Sequence, residues 1–108
     1  MSALAGSGTP TIAFIGAGTV GTALAVRLSE RGHRVVAAAS RSQDSARALA
    51  ARVSGCRAYS SLQAAADAAG LVFVTTPDAA IGAVAAQLRW RAGQAVAHCS
   101  GADSLDVL

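Results

Sequence analysis

The 108-residue chain predicts an α/β domain, an open doubly wound parallel sheet of about five strands with helices on both faces. Three observations carry that prediction. Short apolar runs alternate with helical patterns of about ten residues, an order that right-handed crossovers convert into a parallel sheet. The runs lack the in-and-out alternation of a half-exposed strand, so both sheet faces are expected to be covered. Apolar residues make up 53% of the chain and charged residues 14%, which excludes disorder and supplies the interior of one domain.

After a Gly/Ser/Thr/Pro-rich lead over residues 1–10, expected to be flexible, Thr11 to Ile15 is the first strand and stops at Gly16. Thr19 to Arg31 is helical, with Val20, Leu24 and Leu28 on one face and Gly32 placed to end it. His33 to Ala39 is the second strand, with His33 as a loop or starting residue. Ser42 or Asp44 caps a helix to about Val53 whose Ala46, Leu49, Ala50 and Val53 face inward, and Gly55 stops it. Arg57 to Tyr59 is a short edge strand. Ser60 or Ser61 caps an alanine-rich helix through Ala69, ended by Gly70, and Leu71 to Thr75 is an uninterrupted apolar strand. Pro77 prevents its continuation, Asp78 caps a helix from about Ala79 to Leu88, Trp90 to Gly93 return the chain, and Gln94 to Cys99 is the fifth strand. With alanine abundant and aromatics at 4%, the helices are expected to lie close to the sheet.

Several function classes are excluded at this level. No run approaches the roughly 20 strongly apolar residues of a membrane span, because Ser, Arg, Asp or Gln interrupts each stretch. The first ten residues lack the basic start and apolar middle of a signal peptide, so a cytoplasmic setting is expected. The net charge of +3 is carried by nine arginines scattered along the chain, whereas a nucleic-acid surface concentrates them. Cys56 and Cys99 are too few for a metal cage and are expected as buried thiols. No metal site is expected.

The run Gly16-Ala17-Gly18-Thr19-Val20-Gly21 has the spacing G-x-G-x-x-G. In that pattern the first glycine permits a tight turn, the second lets the backbone approach a diphosphate, and the third lets helix and strand pack closely. The turn follows an apolar strand, opens an amphipathic helix and lies in a strand-helix-strand unit of about thirty residues, the context the motif requires. A diphosphate would sit at the N-terminus of the Thr19 helix, where free N–H groups and the helix dipole favour negative charge. Residues 11–108 therefore read as one dinucleotide-binding domain of the Rossmann type.

An NAD site usually carries an Asp or Glu after the second strand, where this chain has Ala38-Ala39-Ser40-Arg41-Ser42. With no carboxylate to repel a 2′-phosphate, Arg41 can pair with it and Ser40 and Ser42 can donate hydrogen bonds, so NADP is expected over NAD. The competing reading makes Arg41 a solvated loop residue, with Asp44 close by in sequence. Ligands in such sheets lie beyond the carboxyl ends of the strands at the point where the chain reverses direction. Thr75, Thr76 and Pro77 are expected to line the ribose and nicotinamide side, with Ser100 and Gly101 beside the reacting carbon. No catalytic residue is singled out: Asp78 reads as a helix cap, and His98 and Ser100, two apart on a strand, share a face without a third partner.

The run Ile12-Ala13-Phe14-Ile15-Gly16-Ala17-Gly18-Thr19-Val20-Gly21-Thr22-Ala23-Leu24, with Ser40-Arg41-Ser42, Val74-Thr75-Thr76-Pro77-Asp78 and His98-Cys99-Ser100-Gly101-Ala102, resembles the N-terminal domain of a reductase-like group. That group joins a Rossmann-like domain to a helical domain of uncharacterised function and is similar to pyrroline-5-carboxylate reductases and 6-phosphogluconate dehydrogenase-like proteins. The resemblance implies NADP-dependent reduction of a small carbonyl or imine compound, a helical domain completing the substrate pocket, and often a homodimer. The chain stops within what reads as the start of another helix at Asp103 or Ser104, so it is expected to be the early part of a longer enzyme, binding cofactor without turning over substrate alone. Two other readings stand beside this one. A non-catalytic nucleotide sensor and an S-adenosylmethionine methyltransferase both commonly keep an acid after the second strand, which this sequence lacks.

Overall fold

Four consecutive residues buried on both sides of a strand need two cores, and Ile12–Ile15 has them. Ile12 and Phe14 enter one apolar cluster, while Ala13 and Ile15 enter the other. The computed structural model describes residues 10–75, 88–90 and 92–98. Its elements in chain order are β1 (Ile12–Ile15), α1 (Thr19–Glu30), β2 (Val35–Ala39), α2 (Gln43–Arg52), β3 (Arg57–Ala58), α3 (Leu62–Asp67), β4 (Leu71–Val74) and β5 (Ala95–His98). The strands form one parallel sheet in the order β3-β2-β1-β4-β5, the doubly wound α/β arrangement expected from the alternating pattern. The expected helix from Ala79 lies outside the described residues apart from its last position, Leu88, as do Asp78 and Cys99.

The chain runs from the central β1 outward to β2 and β3, then crosses back to β4 on the other side of β1. That reversal places a switch point at the carboxyl ends of β1 and β4. On one face α1 and α2 bring Leu24, Ala25, Leu49 and Val53 against Phe14, Ala38 and Phe73. Phe14 and Phe73 are paired in register, and their rings stack with centroids 5.2 Å apart. On the other face Ala65, Ala66 and Ala69 of the α3 segment lie against Ala37 and Ala39, all at 1% exposure or less. Methyl groups on both sides allow the close approach expected from the composition. The β1–β2 register slips between Ile12 and Ala13, skipping Val36, and Val36 and Ala37 both pack toward the second cluster.

Element ends are set by hydrogen bonds. Ser42 Oγ accepts the Ser45 N–H at 3.2 Å and Ser61 Oγ accepts the Ala64 N–H at 3.2 Å, so these two serines are the caps of α2 and α3. The α1 helix closes with a Schellman motif: Gly32 at φ 91° follows the cap, its N–H reaches the Ser29 carbonyl, and the His33 N–H reaches that of Leu28. The sequence reading carried α3 to Ala69, but the helix ends at Asp67. There the backbone tightens into i to i+3 bonds, and the Gln94 amide donates to the Ala66 and Ala69 carbonyls at 2.7 and 2.9 Å. Gln63 holds the Arg89 backbone in the same manner, donating to its carbonyl and accepting its N–H. The strands are trimmed at their ends relative to expectation, β1 beginning at Ile12, β2 at Val35 and β5 at Ala95.

Two inward-facing assignments change. The buried residues of α1 are Gly21, Leu24 and Ala25, with Val20 half-buried, because the helix is pressed to the sheet at the glycine. Ala50 is half-buried instead of facing fully inward. Cys56 is likewise half-buried where a buried thiol was expected, since it leads from the Gly55 turn into the edge strand β3. Desolvation pushes its pKa up from 9.0 to about 11, partly opposed by a hydrogen bond from the Arg57 backbone.

Candidate functional site

At the carboxyl edge of the sheet, Ile15 is in register with Ala39 on one side and Val74 on the other. The glycine turn, the Ser40-Arg41-Ser42 stretch and Thr75 therefore leave the sheet side by side. Gly16 turns the chain at φ 99°, a conformation L side chains rarely adopt, and its N–H donates to the Ala39 carbonyl at 2.7 Å. This bond fastens the turn directly to the end of β2.

Gly18 is the N-cap of α1 and, having no side chain, leaves that helix without a side-chain cap; nor does an acidic residue stand in its first turn. The serine caps of α2 and α3 show the alternative. The first N–H groups of α1 have no acceptor within the helix, and the dipole leaves them suited to an anion. A Cβ added at Gly18 would meet nothing within 4 Å, so glycine here is not demanded by neighbouring protein atoms. It leaves the backbone open to an approaching group. At Gly21 the demand is internal: a Cβ would stand 2.6 Å from Thr75 Oγ1 and 2.7 Å from the Gly16 carbonyl oxygen. The structure thus fits a diphosphate cradle, with one glycine open outward and one closed inward.

Ala17 is buried, so its contribution to such a cradle is its backbone, and its carbonyl accepts from Thr22 Oγ1 at 3.4 Å. Thr19 is exposed at the first position of α1 and Val20 is half-buried. Beyond β2, Ser40 is half-buried while Arg41 and Ser42 are exposed. Ser40 Oγ accepts the Ser42 N–H at 3.3 Å, and Ser42 in turn caps α2, which gives the loop its shape. Both hydroxyls accept in these bonds and keep their protons to donate elsewhere. Asp44, the nearest carboxylate in sequence, stands in the first turn of α2, 96% exposed and 4.0 Å from Arg47.

Thr75, expected along the ribose and nicotinamide side, turns its hydroxyl toward the glycine turn. Its side chain is buried and its hydroxyl donates to the Gly16 carbonyl at 2.7 Å. Thr76, Pro77, Ser100 and Gly101 lie outside the described residues. A feature that apolar spacing did not single out is a cleft of about 640 Å³ that opens at Ala17, Gly18 and Thr19 and continues between Val26 of α1 and Ala48 of α2. Among the described residues no group of three or more His, Cys, Asp or Glu could hold a metal, and no helix is long and apolar enough to cross a membrane.

Comparison with known proteins agrees with this geometry. A family profile described as NADP oxidoreductase coenzyme F420-dependent matches residues 11–100. Among solved structures, a candidate NADP oxidoreductase from Bacteroides fragilis is 31% identical, with a TM-score of 0.75 over 84% of this chain and 36% of its own. An imine reductase from Pseudomonas sp. is 24% identical, with a TM-score of 0.71 over 84% of this chain and 32% of its own. A reductive aminase from Aspergillus terreus, solved with NADPH and ethyl-5-oxohexanoate, is 24% identical, with a TM-score of 0.70 over 87% of this chain and 33% of its own. The two enzymes of lower identity share the fold. The chain spans about a third of the length of these structures. A comparison with curated protein sequences finds no match. The Rossmann-like fold, the glycine turn and the profile match over most of its length agree, and the chain belongs to the family of NADP oxidoreductases described as coenzyme F420-dependent.

Proposed function

We propose that this chain is the cofactor-holding domain of an oxidoreductase that moves hydride between NADP(H) and a small carbonyl or imine compound, and that it does not turn over substrate by itself. When bound, the nicotinamide ring supplies the hydride chemistry at C4. The chain's own residues bind and orient. The open backbone at Gly18 and the first N–H groups of α1, from Thr19 to Gly21, hold the diphosphate, with Gly16 and Ala17 shaping the turn. Arg41 pairs with the 2′-phosphate, and Ser40 and Ser42 donate to it. Thr76, Pro77, Ser100 and Gly101 remain the proposed nicotinamide-side contacts.

The observation that carries this reading is the uncapped N-terminus of α1 fastened by the Gly16–Ala39 bond to a loop without a carboxylate at Ser40 to Ser42. The imine reductase and the reductive aminase among the structural neighbours support the substrate class, and their greater length supports a second domain that completes the pocket. A homodimer and a cytoplasmic setting complete the proposal. Coenzyme F420, named in the family description, is a second class of hydride partner.

The test is a set of titrations with NADPH, NADH, S-adenosylmethionine and ATP, followed by calorimetry. NADPH should bind most tightly. Binding of only the last two would remove the oxidoreductase reading.

A further inference from the structure

Thr75 follows β4 at the carboxyl edge, and its side chain is buried at 9% exposure. Its backbone N–H donates to the Ile15 carbonyl at 2.8 Å, while its hydroxyl lies 2.7 Å from the Gly16 carbonyl oxygen and 3.5 Å from that of Ile15. A threonine hydroxyl has a single proton, so one donated to Gly16 is not available to a ligand. Gly21 closes on the same pair of atoms from the α1 side. Gly16, already bonded through its N–H to Ala39, is therefore held at its amide from β2 and at its carbonyl from Thr75. The two bonds leave its φ of 99° little room to change.

We infer that Thr75 is a positioning residue whose hydroxyl fixes the glycine turn in its diphosphate-receiving form. The inference rests on the reading of the turn as a diphosphate site. It differs from a direct contact with the nicotinamide end in which parts of the ligand feel the change. Without the hydroxyl, the buried Gly16 carbonyl loses its partner and the receptive turn is populated for only part of the time. Apparent affinity falls by that fraction for every ligand that places a diphosphate there.

The experiment compares the full chain with Thr75→Val, Thr75→Ser and Gly21→Ala, using three probes: NADPH, 2′-phospho-ADP-ribose, which lacks the nicotinamide, and 2′-AMP, which lacks the diphosphate. Thr75→Val should weaken NADPH and 2′-phospho-ADP-ribose by the same factor, about tenfold, and leave 2′-AMP unchanged. Thr75→Ser should restore both, and Gly21→Ala should repeat the Thr75→Val pattern from the opposite side of the contact. A loss confined to NADPH would overturn the inference in favour of a nicotinamide contact. Equal binding by Thr75→Val and the parent would overturn it outright, and an equal loss for 2′-AMP would reduce Thr75 to a general stabiliser of the fold. If the parent chain binds neither NADPH nor 2′-phospho-ADP-ribose, the diphosphate reading beneath the inference fails first.

Discussion

Alanine substituted separately at Gly18 and Gly21 should separate a loss of binding alone from one accompanied by a loss of stability. At Gly21 the new Cβ would stand 2.6 Å from Thr75 Oγ1 and 2.7 Å from a backbone oxygen, where ordinary contact begins at 3.4 Å. The carbonyl of Gly16 cannot swing aside, since its residue is bonded to both Ala39 and Thr75. Helix α1 must retreat from the sheet. Overpacking of this kind costs about 1–3 kcal/mol, and the disturbed Thr75 hydrogen bond adds about 1 kcal/mol. Replacing a helical glycine by alanine returns about 1 kcal/mol. The net loss of about 1–3 kcal/mol should lower the melting temperature by at least about 4 °C in a domain of this size. At Gly18 the φ of −79° suits alanine and the Cβ meets nothing, so stability should change by less than about 1 kcal/mol. On the proposed placement that Cβ stands in the path of the diphosphate, and NADPH affinity should fall at least about tenfold. Thermal melts and calorimetric titration of both variants read the two effects. Unchanged NADPH binding by Gly18→Ala would refute the placement of the diphosphate, and an unshifted melt for Gly21→Ala would refute the packing argument.

Three further outcomes follow from the same geometry. Arg41→Ala should weaken NADPH much more than NADH in parallel titrations, because only the former carries the 2′-phosphate; an equal loss for both would remove Arg41 from the site. Ser42→Ala should lose about 1 kcal/mol of stability with the α2 cap, whereas Ser42→Asp should keep the cap yet lose NADPH selectivity by placing a carboxylate beside the 2′-phosphate. Chemical denaturation and paired titrations would show whether cap and selectivity separate in this way. Burial pushes the Cys56 thiol up to about 11, so above pH 9.0 the unfolded chain releases its proton before the folded one does. Stability from this group is present below pH 9.0 and is lost as pH rises through about 11. The fall in melting temperature over that window should be shallower in Cys56→Ala; an equal slope would contradict it.

The strands were legible because two-sided burial leaves an unbroken apolar run, as in Ile12–Ile15 and Leu71–Val74. Their ends were less so. Beside the end of α3 at Asp67, the amide of Gln94, nearly thirty residues away, takes the Ala66 and Ala69 carbonyls, a contact no local pattern reveals. The slip at Val36 is a property of the β1–β2 pair and leaves no mark on either strand alone. Apolar periodicity placed Leu24 and Leu28 correctly on the inner face of α1, but it gives no weight to Gly21, which is buried against Thr75 and Gly16.

The glycine spacing was readable as a turn, and Ser40-Arg41-Ser42 was readable as a loop without a carboxylate. Their adjacency required the parallel register of β1 with β2. Thr75 was singled out for its place after β4, but the direction of its hydroxyl depends on how near that strand end comes to Gly16. A short polar residue opposite a close-packing glycine was the available clue, and it could be recognised only once β1 and β4 were known to be neighbours.

The central claim is that a diphosphate binds at the N-terminus of α1 beside the end of β2. Amide chemical-shift mapping during an NADPH titration tests it most directly. The largest shifts should fall on Gly18, Thr19, Val20 and Arg41, with smaller ones spreading to Ser40 and Ser42. Shifts confined to the far part of the α1–α2 cleft, around Val26 and Arg52, would contradict the account.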